Sequence, residues 1–205
     1  MKTLMSWKKA ALVLVDPQVD LLAPDGGAWD LFGAQVLKRG VVAKLVELRR
    51  AAAAAGLPIF YSRIEISEND YRDLEPRNGL QKLFAARKLL LEGEGSRFLP
   101  ELEPGPEVVV LKARKGPSAL RSELPGLLRE RGLDTIVIAG MVANLCVESQ
   151  VRDAAEDGFN TIVVGDAIAT TSDAAHDGAL ANFGLLATAV LDTAEILRSI
   201  RELES

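Results

Sequence analysis

The chain has 205 residues, 48% of them hydrophobic, with a net charge of −5 and one cysteine. That length supports one domain with one sizeable core, and an acidic balance without any basic block argues against nucleic acid or an anionic membrane as a partner. A single cysteine excludes an internal disulfide.

The N-terminal stretch MKTLMSWKKAALVLVDP places lysines before an apolar run. The run is short, lacks a small-residue cleavage site and ends at Asp16-Pro17, so no signal peptide is expected. No apolar run approaches membrane-spanning length, and a cytoplasmic protein is expected. Ala10–Val15 reads as the first strand. Gly40–Ala55 is an amphipathic helix closed by Gly56, and Pro58–Ser62 is the second strand. Residues Ile64–Gly105 break the rhythm. They hold one helical pattern (Leu80, Leu83, Phe84, Leu90, Leu91) between charged and glycine-containing segments, which reads as an insertion able to cover a pocket. Val108–Leu111 is the third strand, followed by a helix near Leu120–Arg131. Thr135–Ala139 is the fourth strand. Val147, Val151, Ala154, Ala155 and Phe159 then recur at helical spacing. Thr161–Val164 is the fifth strand, Asp173–Phe183 a helix, Leu186–Leu191 the sixth strand and Thr193–Leu203 a last helix. Continuous apolar strands alternating with helices predict a doubly wound, mainly parallel six-stranded α/β sheet with helices on both faces, in one domain over residues 1–205.

In such a sheet, ligands bind at the carboxyl ends of the strands. Asp16, Ser62, Arg63, Lys112, the segment Gly140–Cys146 and Asp166 all fall there. Asn144 reads as an N-cap, which puts Cys146 in the first helical turn. The helix dipole and free amides there favour the thiolate. A small buried core residue is the other reading of the same position. His176, the only histidine, follows Asp173 and reads as a helix-surface residue, so a Cys–His pair is not expected. Asp16 can accept the thiol proton, and Lys112 can stabilise the thiolate. Taken singly, Asp16 is also a turn residue before Pro17 and Lys112 a solvated strand end. Their convergence at one sheet edge is what favours chemistry.

Three segments carry a resemblance to a known family. ALVLVDPQVDLL resembles the opening of the isochorismatase-like cysteine hydrolases, in which an aspartate ends the first strand. VVVLKARKGPSAL resembles their K-x-R...S segment, and GMVANLCVESQVRDAAEDGFNTIVVGDAIAT their cysteine segment. The resemblance implies a doubly wound α/β fold, a homo-oligomer (dimer or tetramer) and an Asp-Lys-Cys triad of Asp16, Lys112 and Cys146. It also implies hydrolysis of amide-type C–N bonds, or of vinyl ethers in the isochorismatases proper. A cis peptide at Met141–Val142 is implied as well, with the Val142 and Cys146 amides forming an oxyanion hole. Lys112 is preferred to Lys115 because it directly follows the strand and keeps the K-x-R pattern with Arg114. Its spacing to Ser118 is nevertheless longer than the family's commonest.

Nicotinamidases of this family bind a metal through an aspartate and histidines after the second strand. Here that region reads YSRIEISENDYRD, so neither metal nor cofactor is expected. Gln18 lines the pocket or bonds the backbone, and Met141 is a further substrate-side candidate. Arg63 meets a substrate carboxylate or forms an ordinary ion pair. Asp20, Asp25 and Asp166 read as caps and turn residues, with Asp20 a candidate to fix the loop beside Asp16. The CVES stretch resembles relatives that cleave ureido compounds. The reading that follows is a metal-independent cysteine hydrolase. It cleaves an amide, ureido or carbamoyl C–N bond of a small molecule through a thioester. The alternatives are a vinyl-ether hydrolase with Asp16 as the acid, and a non-enzymatic redox-sensing or binding protein on the same fold.

Overall fold

Strands β1 (Ala10–Val15) and β4 (Thr135–Met141) are buried along their whole length. A strand apolar on both faces belongs in the middle of a sheet covered on both sides. The computed structural model, which describes residues 7–116 and 122–203, places both there. The other strands are β2 (Ile59–Ser62), β3 (Val108–Val110), β5 (Asn160–Ala169) and β6 (Ala189–Leu191). All six are parallel, in the order β3-β2-β1-β4-β5-β6. Around the sheet run α1 (Val19–Leu22), α2 (Trp29–Arg39), α3 (Val41–Ala54), α4 (Glu68–Asp73), α5 (Gly79–Arg87), α6 (Leu124–Glu130), α7 (Glu148–Glu156), α8 (Asp173–Leu186) and α9 (Thr193–Arg201). Among them α3 packs against α2 and α9, and α7 against α8.

The strand order reverses between β1 and β4. A crevice opens there at the carboxyl ends, because the connections leave in opposite directions. Gly140 lets the two strands close up at this point. It pairs with Val15, has φ 122°, and a Cβ on it would lie 2.1 Å from the Val15 carbonyl oxygen. No other residue fits that approach.

Several elements differ from the sequence reading. Helix α2 was not expected, because Gly26 and Gly27 precede it and Gly33 sits inside it. The Trp29 ring lies where a Cβ on Gly33 would be, so the glycine makes room for packing. The segment after β2 holds two helices, not one. Its first, α4, starts with a reciprocal capping box between Ser67 and Asp70. Strands β4 and β5 run further than predicted, to Met141 and Ala169. The helix expected near Leu120–Arg131 is α6. Its expected first two residues, and Ser118, lie outside the described residues. Among the described residues, no helix is long and apolar enough to cross a membrane.

Candidate active site

Asp16 is the first residue after β1 and is fully buried. Its amide donates to the Ser62 carbonyl (3.0 Å), tying it to the end of β2. Its φ of 47° lies in the left-handed region, which costs a non-glycine residue on the order of 1 kcal/mol. Oδ1 accepts from Arg114 Nη2 at 2.5 Å and from Ser62 Oγ at 3.3 Å. The Ser62 hydroxyl is itself held by Gln150 Nε2 on α7 at 2.9 Å. The carboxylate is therefore positioned from β2, from the segment after β3 and from α7 together.

The cation at this carboxylate is Arg114, not Lys112. Tyr61 pairs with Val110, but Ile64 pairs with Arg114. Three residues on the β2 side thus face four on the β3 side. One extra residue inverts which face the following side chains occupy. Lys112 consequently points outward, 89% exposed, with Nζ 3.3 Å from Glu123. Arg114 points inward with its side chain 7% exposed. Its Nη1 also donates to the Gly116 carbonyl at 2.7 Å. Lys115, the second lysine considered, is exposed and pairs with Asp70 on α4. The signal that could have identified Arg114 was the spacing to Ser118, which is over-long when counted from Lys112 and shortens when counted from Arg114.

Cys146 follows β4 across a cis peptide bond at Met141–Val142. It lies in a wide turn, Ala143–Val147, that precedes α7. The Val142 carbonyl accepts from the amides of both Leu145 and Val147. Asn144 does not cap this helix. Its side chain accepts from Thr170 Oγ1 at 2.6 Å instead, bracing the turn against the end of β5. The Asp16 carboxylate, the Arg114 guanidinium and the Val142 amide all lie close enough to the sulfur to act on its charge, and Asp16 Oδ2 is buried without a hydrogen-bond partner among the described residues. Arg114 therefore bonds Asp16 and lies near the sulfur.

The electrostatics correct the expectation of a resting thiolate. Cys146 is 5% exposed. Burial pushes its thiol well above the ordinary range, and the Asp16 charge pushes the same way. Arg114 and the Val142 amide pull down but do not overcome them. Burial also opposes the charge on Arg114. Asp16 and the sulfur outweigh it, so the guanidinium stays charged. The resting site is a buried Asp–Arg ion pair with a neutral thiol beside it.

The remaining sequence candidates fall elsewhere. Gln18 bonds backbone only: Nε2 donates to the carbonyls of Ile64 (2.7 Å) and Ser96 (2.6 Å), and Oε1 accepts from the Ile64 amide (2.9 Å). Arg63 pairs with Glu65 and stacks over the Phe98 ring, away from the sulfur. Met141 is fully buried at the end of β4. Asp20 ties the loop after β1 to the residues after α5, accepting from Gly27 (2.9 Å) and Leu90 (2.5 Å) amides. Asp166 anchors the start of α9 through Thr193 and pairs with Lys44. His176 is buried, not on the surface, with Nε2 3.0 Å from the Gly165 carbonyl. Burial, then Arg39, holds its imidazole below the usual range. Among the described residues, no three His, Cys, Asp or Glu side chains converge as a metal set.

A narrow cavity reaches the sulfur. The wall opposite Cys146 comes from α5 and the residues after it: Leu80, Leu83, Phe84, Leu89 and Leu90. This segment is pinned by Asp20 and by the bond from the Ile66 amide to the Leu90 carbonyl (3.0 Å).

A family profile described as isochorismatase domain matches residues 10–195. A ureidoacrylate amidohydrolase RutB of Methylobacterium radiotolerans is 30% identical over 185 residues, covering 83% of this chain and 71% of that protein. A cysteine hydrolase from Pseudomonas syringae pv. phaseolicola superposes with a TM-score of 0.78 at 22% identity, covering 97% of this chain and 95% of the other. An isochorismatase family protein from Burkholderia thailandensis gives a TM-score of 0.73 at 27% identity, covering 94% and 96%.

Proposed function

The chain belongs to the isochorismatase family, and from that premise we propose that it is a cysteine hydrolase cleaving a C–N bond of a small amide-type molecule. The observation that carries the reading is the thiol set beside a buried ion pair, Asp16 with Arg114 at 2.5 Å, in the crevice where the strand order reverses. The likeness to a ureidoacrylate amidohydrolase supports an amide-type bond as the target.

The neutral thiol hands its proton to Asp16 as the sulfur attacks the carbonyl carbon. Arg114 faces both groups, so its charge offsets whichever of them is negative during the transfer. Arginine does not give up its own proton, so it positions and stabilises without acting as an acid. The amides of Val142 and Cys146 hold the oxyanion. Asp16 then protonates the leaving amine, leaving a thioester on Cys146. Water, deprotonated by Asp16, cleaves the thioester and restores the thiol. No step draws on a metal or cofactor. A cytoplasmic location and a homo-oligomeric assembly are part of the same reading.

The test is intermediate trapping. The protein is mixed with a panel of ureido acids, carbamoyl acids, maleamate, nicotinamide and simple amides, then quenched in acid. Intact mass spectrometry should show an acyl adduct that maps to Cys146 and is absent from Cys146→Ala. Turnover of any panel member by Cys146→Ala at the wild-type rate would sink the thioester mechanism.

A further inference from the structure

Among the described residues, the cavity beside Cys146 is walled by hydrocarbon. Leu21, Phe32, Leu80, Leu83, Phe84 and Leu90 are among its walls, and every other lining side chain except the thiol is hydrocarbon too. Among the described residues, polar side chains stand behind the sulfur, as Asp16 and Arg114, and beyond Leu80 and Phe84, where Asn78, Gln81 and Lys115 line an adjoining outer cleft. Among the described residues, the cation near the sulfur is Arg114, and Asp16 already holds its Nη2. A carboxylate entering the cavity would lose its water and meet hydrocarbon on every described wall, with the one described cation at the sulfur already paired to Asp16. That is among the costliest transfers a binding site can impose.

Resting on the hydrolase reading above, we infer that this cavity takes the acyl substituent of a neutral, hydrophobic amide and selects against substrates bearing a carboxylate there. The reaction balances without any co-reactant but water. The thiol sulfur forms a bond to the acyl carbon, the C–N bond breaks, and the thiol proton leaves with the amine by way of Asp16. Water then replaces sulfur on the acyl carbon and returns a proton to it. The product is a carboxylic acid, which ionises in water. An apolar wall that disfavours the carboxylate therefore also favours product release.

The wall-lining residues of α5 set the selectivity, and two independent readouts test it. In the first, kcat/KM is measured for acetamide, propanamide, butanamide and pentanamide. It should rise roughly fourfold per methylene until the cavity fills. Succinamate, which ends in a carboxylate where pentanamide ends in hydrocarbon, should be at least about 100-fold poorer. In the second, Cys146 is alkylated at pH 9 with iodoacetamide and with iodoacetate. Each rate is divided by that of a free thiol and read by mass spectrometry. The neutral reagent should be favoured by at least about tenfold. Leu83→Arg and, separately, Leu80→Arg place a cation on the half-exposed rim. Either should bring the two reagents near parity and raise succinamate turnover. Equal normalised labelling in the wild type, or succinamate matching pentanamide, overturns the inference. Neutral preference in labelling with no amide turned over supports the pocket assignment and overturns the hydrolase reading. Turnover confined to anionic amides does the reverse.

Discussion

Replacing Arg114 by alanine tests both the stability and the chemistry of the site. The substitution removes a guanidinium whose side chain is 7% exposed and leaves the fully buried Asp16 carboxylate without its 2.5 Å partner. Breaking a buried pair from one side typically costs about 3–5 kcal/mol, because the remaining charge is neither solvated nor paired. Ser62 Oγ at 3.3 Å is a poor substitute, being a neutral donor at long range. For a chain of this size, each kcal/mol moves Tm by roughly 2–4 °C, so Tm should fall by about 6–20 °C. The rate should fall as well, by roughly 100- to 1,000-fold, since a preorganised charge at the reacting sulfur is lost. Lys112→Ala is the control. Lys112 is 89% exposed and paired only with Glu123, so removing it should change Tm by less than about 3 °C and leave turnover within twofold or so. Arg114→Lys restores a charge without the planar fork and should recover part of both losses. Calorimetric unfolding together with an ammonia-release assay reads all three variants. Loss of turnover in Lys112→Ala with retention in Arg114→Ala would refute the reasoning, as would an unchanged Tm for Arg114→Ala.

Because burial and Asp16 keep the Cys146 thiol protonated, iodoacetamide should label it more slowly than a free thiol at pH 7 and accelerate as pH rises past about 9. Labelling at pH 7 as fast as a low-pKa thiol would show the resting site to be a thiolate. The same raised thiol pKa links to stability. Its contribution is complete below the unfolded thiol's value near 8.5 and is lost as pH rises toward the folded value, by about 1.4 kcal/mol per unit. Urea unfolding at pH 10 should therefore show the wild type losing stability relative to Cys146→Ser, compared with the same pair at pH 7. Parallel pH profiles would contradict this. EDTA should leave turnover intact, and a loss restored by added metal would defeat the metal-free mechanism. Assembly into a dimer or tetramer is checked by light scattering, where a monomer at micromolar concentration refutes it.

The fold was legible in the chain because its signals are local. Apolar runs such as Ala10–Val15 and Thr135–Ala139, alternating with helical patterns, demand a parallel sheet covered on both faces, and that is the sheet observed. The carboxyl-edge rule then placed Asp16 and the Cys146 turn in one crevice, because both immediately follow central strands. Helix α2 was less legible, since Gly33 weakens its local signal while serving a contact with Trp29 that only packing creates. Which cation meets Asp16 could not be read from alternation along the third strand. The choice depends on a one-residue slip between the β2 and β3 extensions, and pairing register is a relation between segments distant in sequence. The protonation of Cys146 was hidden for a related reason. Position at a helix start argues for a thiolate. Desolvation under α5 and the Asp16 charge, both brought there only by folding, outweigh it. Sequence determined which elements form and which strand ends meet. Tertiary structure decided which side chains face inward and how much water they lose, because register and burial are properties of contacts rather than of any stretch of chain.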